Sequence, residues 1–547
     1  MTKPQFEFNI VGLFQESNKK MLSLSVPALE IKPGIPAETR PKKLQELVAA
    51  LPGNSPGEAA RLILEELQHL NRQAISPESR YKALEIYRRA VLGIAGQMTD
   101  HFIGQSLPLS DSALEFAQLA QTLFIELAYG YKHAIIAEQS KLFTLNSNKQ
   151  LAVLIQRTLD MLSRRLLVDY HTYGTPAAGI WSELHQLYLY ALQQGLQDTK
   201  VEDGVATSSI NLIYKRVLLL ALADTHHLPS TDIERVVDYL YRFAQHAQLQ
   251  PFGTPSNPAG IFLIRLNNDK PPIPLNKFRG TADLRTDILL ITVEMARQVH
   301  HHLNLLQTGE PPANLNLPEA ARDQRYQDVL AHLLKQWGNA PKRQFNRIEK
   351  NEIVNMCVGL PAVHFFLSGK TIAQPTQSDA DAEEVSLNFA DSPIDGSAGT
   401  FKSARWMIVN ESAGGLALSK FASVQVALRV GELIGLKSHE SGAWSVAAMR
   451  WASTSEDTPL SVGAQMLAPS AQAILVRSQD HPEPQPALLL PEIPALKQPA
   501  TLIMQVGSYK AGHRMQLELE HEHYAVLQTR LVERTGSFER FQFSRQP

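Results

Sequence analysis

The feature that most restricts how this chain can fold is a change in its hydrophobic period. From about residue 40 to 248, apolar residues recur every three or four positions, as one face of a helix requires. Ala59, Ile63, Leu67 and Leu70 make one such face. Leu84, Tyr87, Val91, Ile94 and Met98 make another, and Leu151, Ile155, Leu159, Leu162 and Leu166 a third. Ser55-Pro56-Gly57-Glu58 reads as a capping box with proline in the first turn, and Thr231 with Glu234 as a second. Residues 249–280 interrupt the pattern with Pro, Gly and Asn around a strand-like Ile261–Leu266, which implies an insert or a small sheet on the helices. Helix is expected again over Thr281–Leu306 and Pro318–Trp337. The run stops at Gly338-Asn339-Ala340-Pro341, glycine then proline being a helix stop.

Beyond Pro341 short apolar runs separated by turn residues read as strands. The chain is therefore expected to be a multidomain α+β protein. An extended arm or strand pair occupies 1–37, with alternating runs at Phe6–Val11 and Leu22–Val26. An all-α helical bundle or irregular α-solenoid follows over 38–340. A strand-rich domain covers 341–475, interrupted by an inserted loop at 369–403 whose polar and acidic composition reads as a mobile connection. A β-meander over 476–547 forms a second small barrel or extends the preceding domain.

Two short patterns carry chemistry. Arg343 and Arg347 stand four apart at the start of the strand-rich domain, and Asn410, Ser412 and Gly415 read Asn-x-Ser-x-x-Gly in a strand-like run. Paired guanidinium groups match phosphate and guanine edges bidentately. Asn and Ser on alternate strand positions face one side, and glycine admits close backbone approach or a positive φ. Arg-x-x-x-Arg alone is uninformative, whereas Asn-x-Ser-x-x-Gly is expected roughly 0.1–0.2 times by chance in a chain of this length. The two together resemble the PilZ family of bacterial cyclic-di-GMP receptors over about 340–470. The resemblance implies a six-stranded antiparallel β-barrel. It further implies that Arg343 and Arg347 clamp the phosphates and stack on guanine, while Asn410, Ser412 and Gly415 complete the pocket.

The rest of the sequence mainly excludes. At 547 residues two to four domains are expected, and a net charge of −2 argues for neither nucleic acid nor an anionic membrane as partner. The lone cysteine, Cys357, rules out an internal disulfide and a cysteine metal cluster, and reads as a small buried hydrophobe. The longest apolar run, Val217–Ala223, is far short of a membrane span, and a cytoplasmic protein is expected. His300-His301-His302 point to different sides of a helix, and His226-His227 follow a helix end. His521 and His523 share a strand face without a third ligand, so no metal site is assigned. No phosphate-binding loop, nucleophile elbow or dinucleotide fingerprint is present, so no catalysis and no cofactor are expected. Lys510, Arg514, Arg530, Arg534 and Arg540 are diluted by Glu518, Glu520 and Glu522, which weakens any case for nucleic acid at the terminal meander. Two functions remain open. One is a signalling effector that couples cyclic-di-GMP binding to the helical domain or a protein partner. The other is an interaction scaffold whose barrel has lost its ligand.

Overall fold

The helical period of the first 340 residues becomes helix wherever its apolar face can be buried. The computed structural model describes residues 22–30, 34–139, 147–202, 207–338, 347–369, 401–412, 414–421, 427–438, 442–455, 460–478, 482–494, 498–519 and 522–546. The chain divides near residue 343 into a helical unit and a β unit.

The helices of the first unit are α1 (Pro41–Ala49), α2 (Pro56–Asn71), α3 (Pro77–Thr99), α4 (Asp111–Gln139), α5 (Ser147–His171), α6 (Ile180–Gln193), α7 (Ile210–Leu222), α8 (Ser230–Phe243), α9 (Val293–Gln307) and α10 (Gln324–Gly338). Their apolar stripes meet in one core, in which Ile63, Leu67, Leu84, Leu159 and Leu162 are fully buried. Trp181 and Tyr188 of α6 are core residues: both are buried, and Tyr188 stacks on Tyr214 with ring centroids 4.0 Å apart. The caps differ in detail from the sequence reading. Ser55 stands at an N-cap but its hydroxyl makes no cap bond, whereas Ser76 accepts from Ser79 N–H at 3.2 Å. Thr231 lies inside α8 and its hydroxyl accepts from Arg325 Nη2, so no second capping box forms.

A small sheet interrupts the helices. After the short pair β1 (Val201–Glu202) and β2 (Thr207–Ser208), strands β3 (Gln248–Pro251), β4 (Ile261–Arg265), β5 (Ile273–Pro274) and β6 (Asp287–Ile291) align in the order β3-β6-β4-β5. The expected helix at Thr281–Leu306 is thus corrected: its first part forms β6, and helix begins only at Val293. In β6 Asp287, Ile288, Leu289 and Leu290 are all buried, because the strand is central in the sheet. A continuous apolar run of that length has no period to distinguish strand from helix.

Of the expected arm, Phe6–Val11 lies outside the described residues, and Leu22–Val26 joins no strand ladder among them. It is held by side chains instead. Ser25 N–H and its hydroxyl both donate to Glu183 Oε1, at 2.9 and 2.6 Å, and the fully buried Lys132 ammonium donates to the other oxygen of that carboxylate. Burial lowers the Lys132 pKa and the Glu183 charge opposes that shift.

The β unit begins with β7 (Ile348–Val358), followed by a helix, α11 (Leu360–Ser368), that the sequence reading did not contain. Strands β8 (Ala404–Ser412), β9 (Gly415–Lys420), β10 (Leu433–Ser438), β11 (Trp444–Ser453) and β12 (Ser461–Ala468) then close a six-stranded barrel in the order β10-β11-β12-β9-β8-β7. Val354, Trp406, Ile408, Leu418 and Val462 fill its interior. The terminal strands are β13 (Gln472–Ser478), β14 (Gln485–Leu490), β15 (Thr501–Met504), β16 (Arg514–Glu518), β17 (His523–Arg534) and β18 (Glu539–Arg545). They close a second barrel in the order β13-β14-β15-β18-β17-β16. β13 pairs with β14 and β16, so the second barrel takes in residues 472–475, which the sequence boundary at 475 assigned to the first. The inserted loop expected at 369–403 falls outside the described residues over 370–400.

Helix α11 joins the two barrels. Leu360, Ala362 and Val363 share one apolar cluster with Cys357 and Leu433 of the first barrel and Leu488 and Ile503 of the second. His364 Nε2 lies 3.1 Å from the Ile474 carbonyl oxygen. Within that cluster burial pushes the Cys357 thiol up to about 12. A pKa this far above neutrality leaves almost no thiolate at pH 8, so the folded protein is expected to resist a thiol-reactive disulfide reagent. One equivalent should react after denaturation; prompt labelling of the native chain would show that the cluster opens.

Candidate functional site

Antiparallel pairing brings part of the sequence motif to one end of the first barrel. Ile348 of β7 pairs with Glu411 of β8, and Glu349 with Asn410, so the register places Arg347 opposite Ser412. Ser412 in turn pairs with Gly415 across the β8–β9 hairpin, and Asn410 with Ala417. Residues opposed on a ladder share a face of the sheet.

A β-bulge decides which face that is. Ile408 pairs with the fully buried Leu418, but Asn410 pairs with Ala417, so one extra residue of β8, near the exposed Val409, is accommodated between them. The bulge turns Asn410 and Ser412 away from the barrel interior that Ile408 occupies. Arg347, Asn410, Ser412 and Gly415 therefore share the outer surface at one barrel end. Arg347 is exposed and makes no ion pair among the described residues, and the Asn410 amide makes no hydrogen bond among them. The next cation along is already engaged: Lys350 pairs with the Glu411 carboxylate, which raises the lysine pKa. Arg343, the other half of the Arg-x-x-x-Arg pattern, lies outside the described residues.

Two motif positions also serve the barrel itself. The Ser412 hydroxyl donates to the Gly415 carbonyl oxygen at 3.2 Å, tying the hairpin. Gly415 pairs with Gln465 of β12, and a Cβ there would overlap the Ala464 carbonyl oxygen. Of the two reasons the sequence offered for glycine here, close approach is the one that applies.

The sequence reading missed an aromatic neighbour. Gly463 pairs with Ala417, and the Trp451 indole lies directly against Gly463, where any Cβ would strike the ring. The half-buried Trp451 thus lies over a position two ladder steps from Asn410, through Ala417 and Gly463. Only its cross-strand position reveals this, since Trp451 is 41 residues away in sequence and has no motif spacing to it. Arg450 beside it donates to Gln465 Oε1 at 2.7 Å.

The histidines lie elsewhere. His302 is buried in α9 against Tyr239 OH at 3.1 Å, and burial lowers its pKa to about 4. His521 lies outside the described residues, and among those described no group of three or more His, Cys, Asp or Glu could hold a metal ion. No described helix is long and apolar enough to cross a membrane.

With the barrel and its motif in place, a family model described as "Cyclic-di-GMP receptor FimW, middle PilZ domain" matches residues 261–404 and 374–473. The middle part of the chain is a PilZ domain. The PilZ match starts at residue 261, inside the helical unit, well before the boundary at 341 expected from sequence. Two companion models flank the PilZ domain: the N-terminal domain of the same receptor over 42–256 and its C-terminal β-barrel domain over 471–546. The latter starts within one residue of β13. The chain as a whole is similar to the cyclic-di-GMP receptor FimW of Pseudomonas aeruginosa, at 27% identity over 581 aligned positions, 96% of this chain and 94% of the relative.

Proposed function

We propose that this protein is a cyclic-di-GMP-binding signalling effector, with its site on the outer end of the first barrel. The observation that carries the reading is the register that sets Arg347, which makes no ion pair among the described residues, opposite Ser412 at the same barrel end as Asn410. Arg343 and Arg347 clamp the phosphates, and Asn410 supplies both a donor and an acceptor to a guanine edge. The Trp451 ring offers a stacking surface for a base, a contact of about 1–3 kcal/mol per base. Similarity to a receptor that bears this ligand in its name supports the same ligand class. Nothing in the site calls for bond making, so we read the chain as a binding protein rather than an enzyme. The nucleotide signal passes to the helical unit or to a protein partner.

Isothermal titration of the full chain with cyclic-di-GMP, GTP and cyclic GMP tests this. Saturable binding of cyclic-di-GMP with clear preference over the other two is expected; no heat at high micromolar ligand sinks the reading. Hydrogen exchange in α10 with and without nucleotide tests the coupling, which fails if protection there is unchanged.

One observation favours a second reading, a scaffold whose barrel no longer takes a ligand. Ser412 and Gly415 are both needed by the hairpin and the β9–β12 pairing, so the fold alone accounts for them. The same titration separates the two. If the nucleotide does bind, Ser412→Ala should weaken it by only about 0.5–1.5 kcal/mol, as for one neutral hydrogen bond, read by the same calorimetry.

A further inference from the structure

Helices α3, α4, α5, α7 and α8 enclose a cavity of about 360 Å3 that no part of the nucleotide reading uses. Its walls are mostly apolar, among them Leu92, Phe124, Leu166, Val217 and Leu240. Small side chains make the space. Ala95, Gly96 and Ala120 line it, and a Cβ built on Gly96 would meet nothing within 4 Å. Glycine is the poorest helix former after proline, and Gly96 sits inside the long helix α3.

Two side chains in the lining carry buried nitrogens without a hydrogen-bond partner among the described residues. His171, at the end of α5, is only 2% exposed, and its Nδ1 makes no hydrogen bond among the described residues. Its Nε2 stands 2.7 Å from Glu234 Oε1 but not in hydrogen-bond alignment. Arg216 stacks on Tyr241, 4.2 Å from the ring centroid, and donates through Nη2 to the Tyr241 carbonyl oxygen, yet its buried Nε–H has no acceptor among the described residues. A buried donor without an acceptor is costly, and a ligand that supplies one gains what the protein lacks. Tyr241 is 49% exposed and marks the mouth, so the guanidinium stands where a bound molecule would end.

We propose that this cavity binds a small amphipathic carboxylate, with an aliphatic body among the helices and its carboxylate on Arg216. Other charges in the lining are accounted for: Arg164 Nε pairs with Asp160 at 3.0 Å, and Glu234 faces His171. The proposal is independent of the nucleotide site, which lies in the β unit.

The test uses the full chain and dodecanoate, with dodecanol as a probe that has the same body and a weaker acceptor. Displacement of a solvatochromic dye and native mass spectrometry read the binding. Saturable one-to-one binding of dodecanoate is expected, at least tenfold tighter than dodecanol. Gly96→Leu fills the cavity with a better helix former, so the chain should stay folded and lose both ligands. Arg216→Leu should erase the preference for dodecanoate while dodecanol still binds. No one-to-one binding to the folded wild type, or binding unchanged in folded Gly96→Leu, overturns the proposal. So does a preference for the carboxylate that survives Arg216→Leu.

Discussion

Arg347→Ala is expected to lower the affinity for cyclic-di-GMP on the order of tenfold to over a hundredfold while the protein melts as wild type. The size follows from a charge-assisted guanidinium–phosphate contact, about 1.5–3 kcal/mol, whose loss leaves the phosphate without a partner. The unchanged stability follows from the position: Arg347 is exposed, precedes β7, and makes no ion pair among the described residues. Arg343→Ala is expected to lose a comparable factor. Lys342→Ala should matter little, because an ammonium is a hydrated point charge without the planar fork. Titration of the three variants, with a melting curve for each, makes the comparison. Wild-type binding by both arginine variants would move the site elsewhere on the molecule.

Gly415→Ala is expected to destabilise the first barrel by about 3 kcal/mol or more, among the largest effects a single methyl group can have. The added Cβ meets the Ala464 carbonyl oxygen, which is backbone and cannot turn aside as a side chain would. β9 and β12 must separate there, and the ladder from Ser461 to Gln465 holds the barrel closed on that side. Gly53→Ala is the control: nothing lies within 4 Å of its Cβ position, and an effect below about 1 kcal/mol is expected. Calorimetry of the full chain reads both, the helical and β units being scored as separate transitions where they resolve. A Gly415→Ala protein as stable as wild type would show that the strands have room to part. A stable variant that no longer binds nucleotide would make Gly415 a ligand contact instead.

The sequence determined the order of architectures and where it changes. Helical stripes such as Leu151 to Leu166 are long enough for their period to be unmistakable, and Gly338 to Pro341 ends the last of them. Most strands of the second barrel, though not β13, were equally legible, since stretches such as Tyr524–Val532 and Phe538–Phe543 are bounded by turn residues. Strand β6 and helix α11 were not. Ile288 to Leu290 and Leu360 to Leu367 are nearly continuous apolar runs, buried on more than one side, and such runs carry no period. Whether the terminal strands extended the first barrel or closed their own was undecidable locally, because closure depends on β13 pairing with β16, residues some forty positions apart.

The site divides in the same way. Arg347, Asn410, Ser412 and Gly415 were readable as residues, since their types and spacing belong to the chain alone. That they share one end and one face was decided by the antiparallel register and by its irregularities, between Glu349 and Glu352 on β7 and near Val409 on β8. Side-chain direction alternates along a strand, so one extra residue reverses the face of everything beyond it. Trp451 entered only through its cross-strand neighbours, and the cavity lined by Gly96, His171 and Arg216 only through the packing of five helices. Spacing along the chain records which groups are present; the distance between groups dozens of residues apart exists only once the strands have paired and the helices have packed.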